Sequence, residues 1–537
     1  MGLVQTFGSG AMTNSITDLA GSECIFIIGS NAAESHPIIM GEIYKAMDAG
    51  GTVIVVDPRR TAVAENADIH LSIEPGTDIP LLAGMMRHII DEGLYDAEFV
   101  EERTEGFDEF RQFVEGWTVE EASRQCGIEP SMIRRVAEIY AKAHESAVVY
   151  CMGITQHVCG SDNVIALCDL AMLCGNVGTE HSGVYPLRGQ NNVQGACDMG
   201  ALPNVYPAYQ SVTDPDIKTK FEEAWGRPLS DKPGLTVVEM VRSAGSKIHG
   251  LFIMAENPAL SEPDVNHVVE SLSKFDFLVV QDIFMSETAR FADLVLPGSS
   301  FAEKDGTFTN TERRFQLVRK AIDPPGSAKQ DFSILCMLGN ALGLDFNYES
   351  PADVMSEINR LAPAYGGITY DRLERQGLQW PCPNEEHPGT RFLHQGRFTR
   401  GKGLFVVPNH VAPVEQPDGE YPWYLSTGRM FAHYHTGTLT RRAKQLDREV
   451  SRPYGEINSR DAAELGVGEG GAIRVTSRRG SIVVDAKITD RVKKGSIFIP
   501  FHFTEARANT LTNPALDPRS KTPEYKVCAV RVEKGES

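Results

Sequence analysis

The stretch CIFIIGSN, Cys24 to Asn31, is a short apolar run that stops at a glycine and a polar turn. Both of its alternating faces are apolar, so it reads as a strand buried on both sides, as in a parallel sheet. A helical pattern follows from about Ile38 to Ala49, and GTVIVVD, Gly51 to Asp57, is a second buried strand. Strand, turn, helix and strand together make a right-handed crossover unit. A third strand is expected over Ala67 to Ile73, leading through PGTD to a helix from about Asp78 to Glu92, with Thr77 or Asp78 as its cap. Such sheets bind ligands at the carboxyl ends of their strands. That rule selects Ser30, Asn31, Glu34 and Ser35 after the first strand and Asp57, Pro58 and Arg59 after the second, with Asp57 as acceptor for a ribose hydroxyl. No G-x-G-x-x-G follows the first strand, which weakens an ordinary NAD-binding reading.

The pattern then recurs. Charged, peripheral helices are expected from about Glu98 to Ala143, a strand over Ser146 to Met152 ending in Gly153 with Gln156 nearby, and a helix from Asn163 to Leu173. Further on, GLFIMAEN (Gly250 to Asn257) parallels CIFIIGSN, and FLVVQD (Phe277 to Asp282) parallels Val53 to Asp57. Asp57 lies eleven positions before Asp68, and Asp282 eleven before Asp293, each followed by a short apolar strand. Two copies of one nucleotide-holding unit imply two nucleotides, or one ligand with two arms. The fold class expected is α/β: two related doubly wound nucleotide-binding lobes.

At 537 residues and 42% apolar content the chain suffices for several domains with real cores. The net charge of −20, with scattered Lys and Arg, offers no basic stripe for nucleic acid. No apolar run approaches the roughly 20 residues that span a bilayer, and no leader-like start is seen, so a cytoplasmic location without direct membrane insertion is expected. The ten cysteines include no C-x-x-C pair, which argues against an internal zinc or iron–sulfur site, and no metal ligands are assigned.

Between the two copies runs LRGQNNVQGACDMG, Leu187 to Gly200, which follows the Gly-spaced MLCGNVGTEHSGVYP, Met172 to Pro186. Neither apolar period is present, so irregular backbone is expected. Glycines let main chain approach a ligand closely, and the amides of Gln190, Asn191, Asn192 and Gln194 supply donors and acceptors. The functional reading is a polar ligand with an anionic group near Arg188; a solvated surface loop is the alternative.

Lys329 to Leu342 reads as a helix, and the Pro- and aromatic-rich span from about Tyr348 to Pro413 as a connector with little regular structure. From Tyr421 onward short strands and tight turns take over. Tyr424 to Thr427 leads into Gly428, Arg429 and AHYHTG, and GAIRVTSRRGSIVVDAKIT (471 to 489) is a hairpin turning at Arg479-Gly480, as expected of a small β-barrel. His433 and His435 lie two apart; without further ligands they read as polar contacts to a nucleotide or as a solvated pair.

The segment LRGQNNVQGACDMGALPNVYPAY (187 to 209) is similar to the signature segment of formate dehydrogenase alpha subunits in the molybdopterin oxidoreductase family. The resemblance runs from about residue 2 to residue 533 and closes on TPEYKVCAVRVE. It implies formate dehydrogenase/DMSO reductase-like lobes at 1–190 and 191–345, a connector at 346–415, and a molybdopterin dinucleotide-binding, double-psi-like β-barrel at 416–537. Two molybdopterin guanine dinucleotides carrying one Mo or W are implied, one per lobe. The cofactor-binding set implied in the lobes is Asn31, Glu34, Ser35, Asp57, Pro58, Arg59, Gly76, Asp78, Met152, Gly153, Gln156, Gln190, Gln281, Asp282 and Ser286. In the barrel it is Thr427, Arg429, His433, Tyr434, Thr436, Asn509, Tyr525 and Lys526. Arg188 is implied to orient formate at the metal. Arg313 and Arg314, in TFTNTERRFQ, resemble a family element but read equally as surface charges.

The start, MGLVQTFGSGAMTN, resembles family sequence just past the metal-ligating Cys or selenocysteine, so the family's [4Fe–4S] segment and that ligand are expected upstream and the chain alone is expected to be inactive. Formate and carbon dioxide are the implied substrate pair, and an iron–sulfur or flavin electron-transfer subunit the implied partner. The rivals are another molybdopterin oxidoreductase, such as a nitrate reductase, and a cofactor-binding chain that no longer catalyses.

Overall fold

Alternation along β1 (Cys24–Ile28) divides its side chains between two cores. Cys24, Phe26 and Ile28 pack with Ile54, Val56 and Val148 beneath the helices Asp78–Asp91, Pro130–Lys142 and Gly160–Leu173. Ile25 and Ile27 pack on the other face with Val53, Val55, Val149 and the helix Pro37–Asp48. A strand with no polar position has to be covered on both faces, which forces three layers. Each buried Ile or Val contributes about 1.5–3 kcal/mol, and cutting Phe26 back to Ala would cost about 3–5 kcal/mol.

The computed structural model describes residues 1–535, in two compact units: Met1–Gly189 with the chain from Phe392 onward, and Gln190–Arg391. In the first unit β1 joins β2 (Thr52–Val56), β3 (Ile69–Leu71), β4 (Ser146–Tyr150) and β5 (Gly183–Pro186) in the order β3-β2-β1-β4-β5. Every neighbouring pair is parallel. The order reverses at β1, so a crevice opens at the carboxyl ends of β1 and β4.

Two expectations in this unit need correction. The helices between residues 98 and 143 are not peripheral, because Phe110, Val114, Ile133 and Tyr140 are fully buried in the core; their charges occupy only the outer faces. Thr77 takes the N-cap position but makes no side-chain capping bond; its hydroxyl instead donates to the Glu74 carbonyl at 2.6 Å.

The second unit repeats the first motif. β6 (Gly250–Met254), β7 (Phe277–Asp282) and β8 (Leu294–Pro297) form a parallel sheet in the order β8-β7-β6, the counterpart of β3-β2-β1. Asn31 and Asn257 each precede a four-residue helix, Ala32–Ser35 and Pro258–Ser261. The Thr61 hydroxyl accepts from the Ala64 N–H at 3.3 Å, and the Ser286 hydroxyl from the Ala289 N–H at 3.4 Å. Asp68 and Asp293, the acids found by the eleven-residue spacing, each turn back to the start of the middle strand. Their carboxylates accept from Val53 N at 2.8 Å and from Leu278 N at 2.7 Å.

Elsewhere in this unit β9 (Gly306–Thr309), β10 (Arg314–Val318) and β11 (Leu378–Gln379) pair antiparallel. Arg313 is not a surface charge. It is fully buried and donates to the carbonyls of Trp380, Thr390 and Arg391, the last two at 3.0 Å. The stretch expected to be a connector with little regular structure holds the helix Pro351–Leu361 and β11. The strap after Arg188 is irregular only in part, since Val193–Asp198 is a short helix that buries polar groups: Asp198 accepts from Gln194 Nε2 at 2.7 Å and Trp380 Nε1 at 2.8 Å. Burial of Gln194, Gly195 and Asp198 in place of apolar side chains leaves no helical period in the sequence.

The first unit ends in a closed six-stranded barrel: β12 (Trp423–Gly428), β13 (Tyr454–Ile457), β14 (Ala472–Thr476), β15 (Ser481–Ile488), β16 (Ser496–Pro500) and β17 (Cys528–Lys534), ordered β12-β16-β13-β15-β14-β17. β12–β16 and β13–β15 are parallel and the other neighbours antiparallel, with Leu425, Ile457, Ile473 and Ile499 filling the interior.

Candidate dinucleotide site and the Arg188 strap

The crevice of the first unit is set by two glycines. Gly29 follows β1 with φ 57°, and the Gly153 N–H, after β4, donates to its carbonyl at 3.0 Å. A Cβ on Gly153 would stand 2.5 Å from Gly29 Cα, so neither position admits a side chain. The polar groups at the strand ends converge above this contact. Ser30 is buried, and its hydroxyl and the Asn31 Oδ1 lack protein partners among the described residues. Buried polar atoms without partners are costly, so these point to a ligand with complementary groups.

Asp57 keeps some exposure, yet desolvation pushes its carboxyl up, opposed by the Arg59 N–H it accepts from at 2.9 Å and by the charges of Arg59, His70 and Lys526. Asp78 is buried, and burial raises its carboxyl to about 7, with the Asp57 charge adding to the rise. The buried His157, 4.0 Å from Asp78, is pushed down to about 4 by burial; its Nε2 donates to the Gly153 carbonyl at 2.8 Å. Pro58 accepts from the Ser72 hydroxyl at 3.1 Å, Ser35 donates its N–H to Asn31 at 3.0 Å, and Gly76 stands at φ 80°.

From the barrel comes the positive charge. Lys526 donates from Nζ to the Thr427 carbonyl at 2.5 Å and from its backbone to Gln156 at 3.4 Å, and the Thr427 hydroxyl donates to Tyr525 at 3.0 Å. Burial lowers the Lys526 ammonium to about 8, although Cys151 and Asp57 pull the other way. Arg429 is lowered by burial as well, lies 5.3 Å over the Tyr434 ring, and has a buried Nε without a partner among the described residues. Neither cation forms an ion pair with a carboxylate among the described residues. Two desolvated cations without a direct carboxylate ion pair, beside open amides, suit an anionic group such as a phosphate.

Some expected site residues are committed elsewhere. Arg59 forms a two-pronged pair with Glu456, at 2.7 and 3.1 Å, under Phe498. His433 spends Nε2 on Val450 O at 2.9 Å and Nδ1 on Thr440 Oγ1 at 3.2 Å. Thr436 bonds Thr438 at 3.0 Å, Asn509 accepts from Thr512, and Met152 is 40% exposed. Sequence reasoning missed Glu456, Gly29 and Cys151; a glycine directly after β1 was the one available signal.

Arg188 follows the sheet's last strand, β5. The Leu187 N–H donates to Tyr150 at 2.8 Å, the Arg188 carbonyl lies 2.7 Å from His36 Nε2, and Arg188 Nη2 donates to Gly10 at 3.2 Å. Gln190, Gln281, Asp282 and Ser286 belong to the second unit. There Asp282 caps the turn after β7 by accepting from Ile283 N at 2.7 Å, while the buried Gln281 donates to Asp331 at 2.6 Å and keeps its Oε1 without a partner among the described residues.

Comparison with known proteins agrees with this geometry. Residues 4–341 match the molybdopterin oxidoreductase family and residues 423–529 the molydopterin dinucleotide binding domain. The chain belongs to the molybdopterin oxidoreductase family. It is 51% identical to the F420-dependent formate dehydrogenase subunit alpha of Methanocaldococcus jannaschii, over 99% of this chain and 80% of that protein. It is 39% identical to formate dehydrogenase H of Escherichia coli, over 99% of this chain and 76% of that protein. The solved structure of acetylene hydratase from Pelobacter acetylenicus superposes with a TM-score of 0.75 at 20% identity, over 99% of this chain and 80% of that one, which shows a shared fold. The polar atoms left without protein partners in the crevice and the desolvated cations Lys526 and Arg429 are chemically compatible with the family's molybdopterin dinucleotide.

Proposed function

We propose that this chain is the catalytic part of a formate dehydrogenase, in which formate loses a proton and two electrons to become carbon dioxide. The observation that carries the proposal is Arg188, held at its carbonyl and its guanidinium on the strap that opens the 187–209 signature. The names of the 51% and 39% identical relatives support it. Arg188 pairs two-pronged with the formate carboxylate and stays charged at any working pH. The pairing also favours turnover, because carbon dioxide carries no charge and loses its hold on the guanidinium. When bound, a molybdenum or tungsten centre held by two molybdopterin guanine dinucleotides supplies the two-electron acceptor.

In this reading Ser30, Asn31, Arg429 and Lys526 hold one dinucleotide, and Gln281, Asp282 and Ser286 hold the second by the symmetry of the repeat. Among the described residues no group of three or more His, Cys, Asp or Glu is arranged to hold a metal. Electrons leave through a separate iron–sulfur or flavin subunit, consistent with the relatives being named as alpha subunits. No helix among the described residues is long and apolar enough to cross a membrane.

The test is anaerobic assay of the holoenzyme with formate and an artificial dye as acceptor. Isotope-labelled formate should yield labelled carbon dioxide. A fully cofactor-loaded enzyme that reduces nitrate but leaves formate untouched would overturn the proposal.

A further inference from the structure

His36 stands between the helices Ala32–Ser35 and Pro37–Asp48, and its ring reaches across to the strap. Nε2 lies 2.7 Å from the Arg188 carbonyl oxygen. A carbonyl only accepts, so Nε2 carries the proton. Burial lowers the ring's affinity for a second proton, and the nearby Arg429 charge adds to that. The other nitrogen, Nδ1, is buried without a hydrogen-bond partner among the described residues, so the bond to Arg188 is the hydrogen bond that orients the ring.

The strap depends on that contact for a geometric reason. Leu187 is fixed on both sides, its N–H by Tyr150 at 2.8 Å and its carbonyl by the Cys151 thiol at 3.0 Å. The next residue but one, Gly189, is unpacked: a Cβ there would meet nothing within 4 Å. Arg188 therefore sits between a pinned residue and a loose one, and His36 holds the peptide group on its loose side. Without it, rotation about the Arg188 N–Cα bond, which carries carbonyl and side chain together, would swing the guanidinium from its place beside the Gly10 carbonyl.

We infer that His36 is a positioning residue for Arg188, fixing the guanidinium in the orientation that meets a carboxylate substrate. The inference rests on Arg188 being the formate partner. A misplacement of about 1 Å costs on the order of 100-fold in a reaction that depends on orientation.

The test uses the anaerobically purified holoenzyme with four changes: His36→Ala, His36→Gln, Arg188→Lys, and His36→Ala combined with Arg188→Lys. Formate KM, kcat and metal content are measured for each. Expected for His36→Ala is a loss of about ten- to 100-fold in kcat/KM at unchanged metal content. His36→Gln, whose amide N–H reaches the same carbonyl, should recover most of it. On the Arg188→Lys background the loss should shrink to within about threefold, since the two-pronged geometry is already gone. Three results would each overturn the inference: His36→Ala within twofold of the parent, a loss that only tracks missing metal, or Gln failing to rescue at full metal content. An Arg188→Lys enzyme with unchanged formate kinetics would instead overturn the reading of Arg188 itself, and the inference with it.

Discussion

Arg59 and Glu456 meet in a two-pronged ion pair, at 2.7 and 3.1 Å, that ties the turn after β2 to the barrel strand β13. Glu456 has no exposed side-chain surface and Arg59 only 11%. Burial raises the Glu456 carboxyl, but Arg59 and Lys487 outweigh it and hold the group below its usual range. Breaking a buried pair by removing one partner costs about 3–5 kcal/mol, because the other charge is left desolvated. Glu456→Ala should therefore lower unfolding free energy by that amount in chemical denaturation. The sign with pH follows: a depressed carboxyl contributes stability above its unfolded value that is lost as pH falls through the folded value, so the gap between parent and variant should close in acid. A gap independent of pH would contradict this.

Asp68 and Asp293 give a second test, of the repeat itself. A carboxylate bonded to a backbone N–H is worth about 1.5–3 kcal/mol. Asp68→Ala and Asp293→Ala should each destabilise by that order, and hydrogen exchange should show faster opening at Val53 in the first and at Leu278 in the second. Loss at only one of the two would break the equivalence of the lobes.

Asp78 should make the cofactor-free protein less stable as pH rises. Its carboxyl titrates at about 7 when folded against an ordinary 3.8. The folded state then binds more protons between those values, so stability falls with rising pH across that window and levels off above 7. Relative to Asp78→Asn, which does not titrate, the parent should weaken by on the order of 2–4 kcal/mol from pH 4 to pH 7. Parallel stability curves for the two would refute it.

Lys526 is expected to sacrifice stability for binding. With the ammonium lowered to about 8, the folded state binds fewer protons than the unfolded one between about 8 and 10.5, and the cost of burial is fully present below 8. Lys526→Met should raise the stability of the cofactor-free protein at pH 7 by about 1–3 kcal/mol, a range discounted for the side chain's residual solvent contact. The same change should loosen the dinucleotide at least tenfold, read as cofactor retained on desalting. Lower stability with undiminished retention would place Lys526 outside the site.

Much of this was legible in the sequence. The unbroken apolar run of Cys24–Ile28 announced a strand buried on both faces, and the Asp57-to-Asp68 spacing announced its twin at Asp282-to-Asp293. What stayed hidden depends on distant partners. Glu456 is an ordinary acid in a short strand until Arg59, 397 residues away, meets it. Arg313 reads as surface charge until three backbone carbonyls surround it. The helix Val193–Asp198 buries Gln194 and Asp198, so no apolar period marks it. Nor does any local signal reveal that the chain returns to the first unit at Phe392.

The measurement that bears most directly on the proposed chemistry is formate kinetics of Arg188→Lys and Arg188→Ala holoenzyme beside their molybdenum or tungsten content. Lys keeps the charge without the fork and Ala keeps neither, so a graded loss is expected, reaching roughly 10- to 150-fold in formate affinity for Ala, the equivalent of a charge-assisted pair of about 1.5–3 kcal/mol. Metal content should match the parent. Unchanged kinetics, or activity lost only in proportion to missing metal, would contradict the assignment of Arg188 as the substrate's partner.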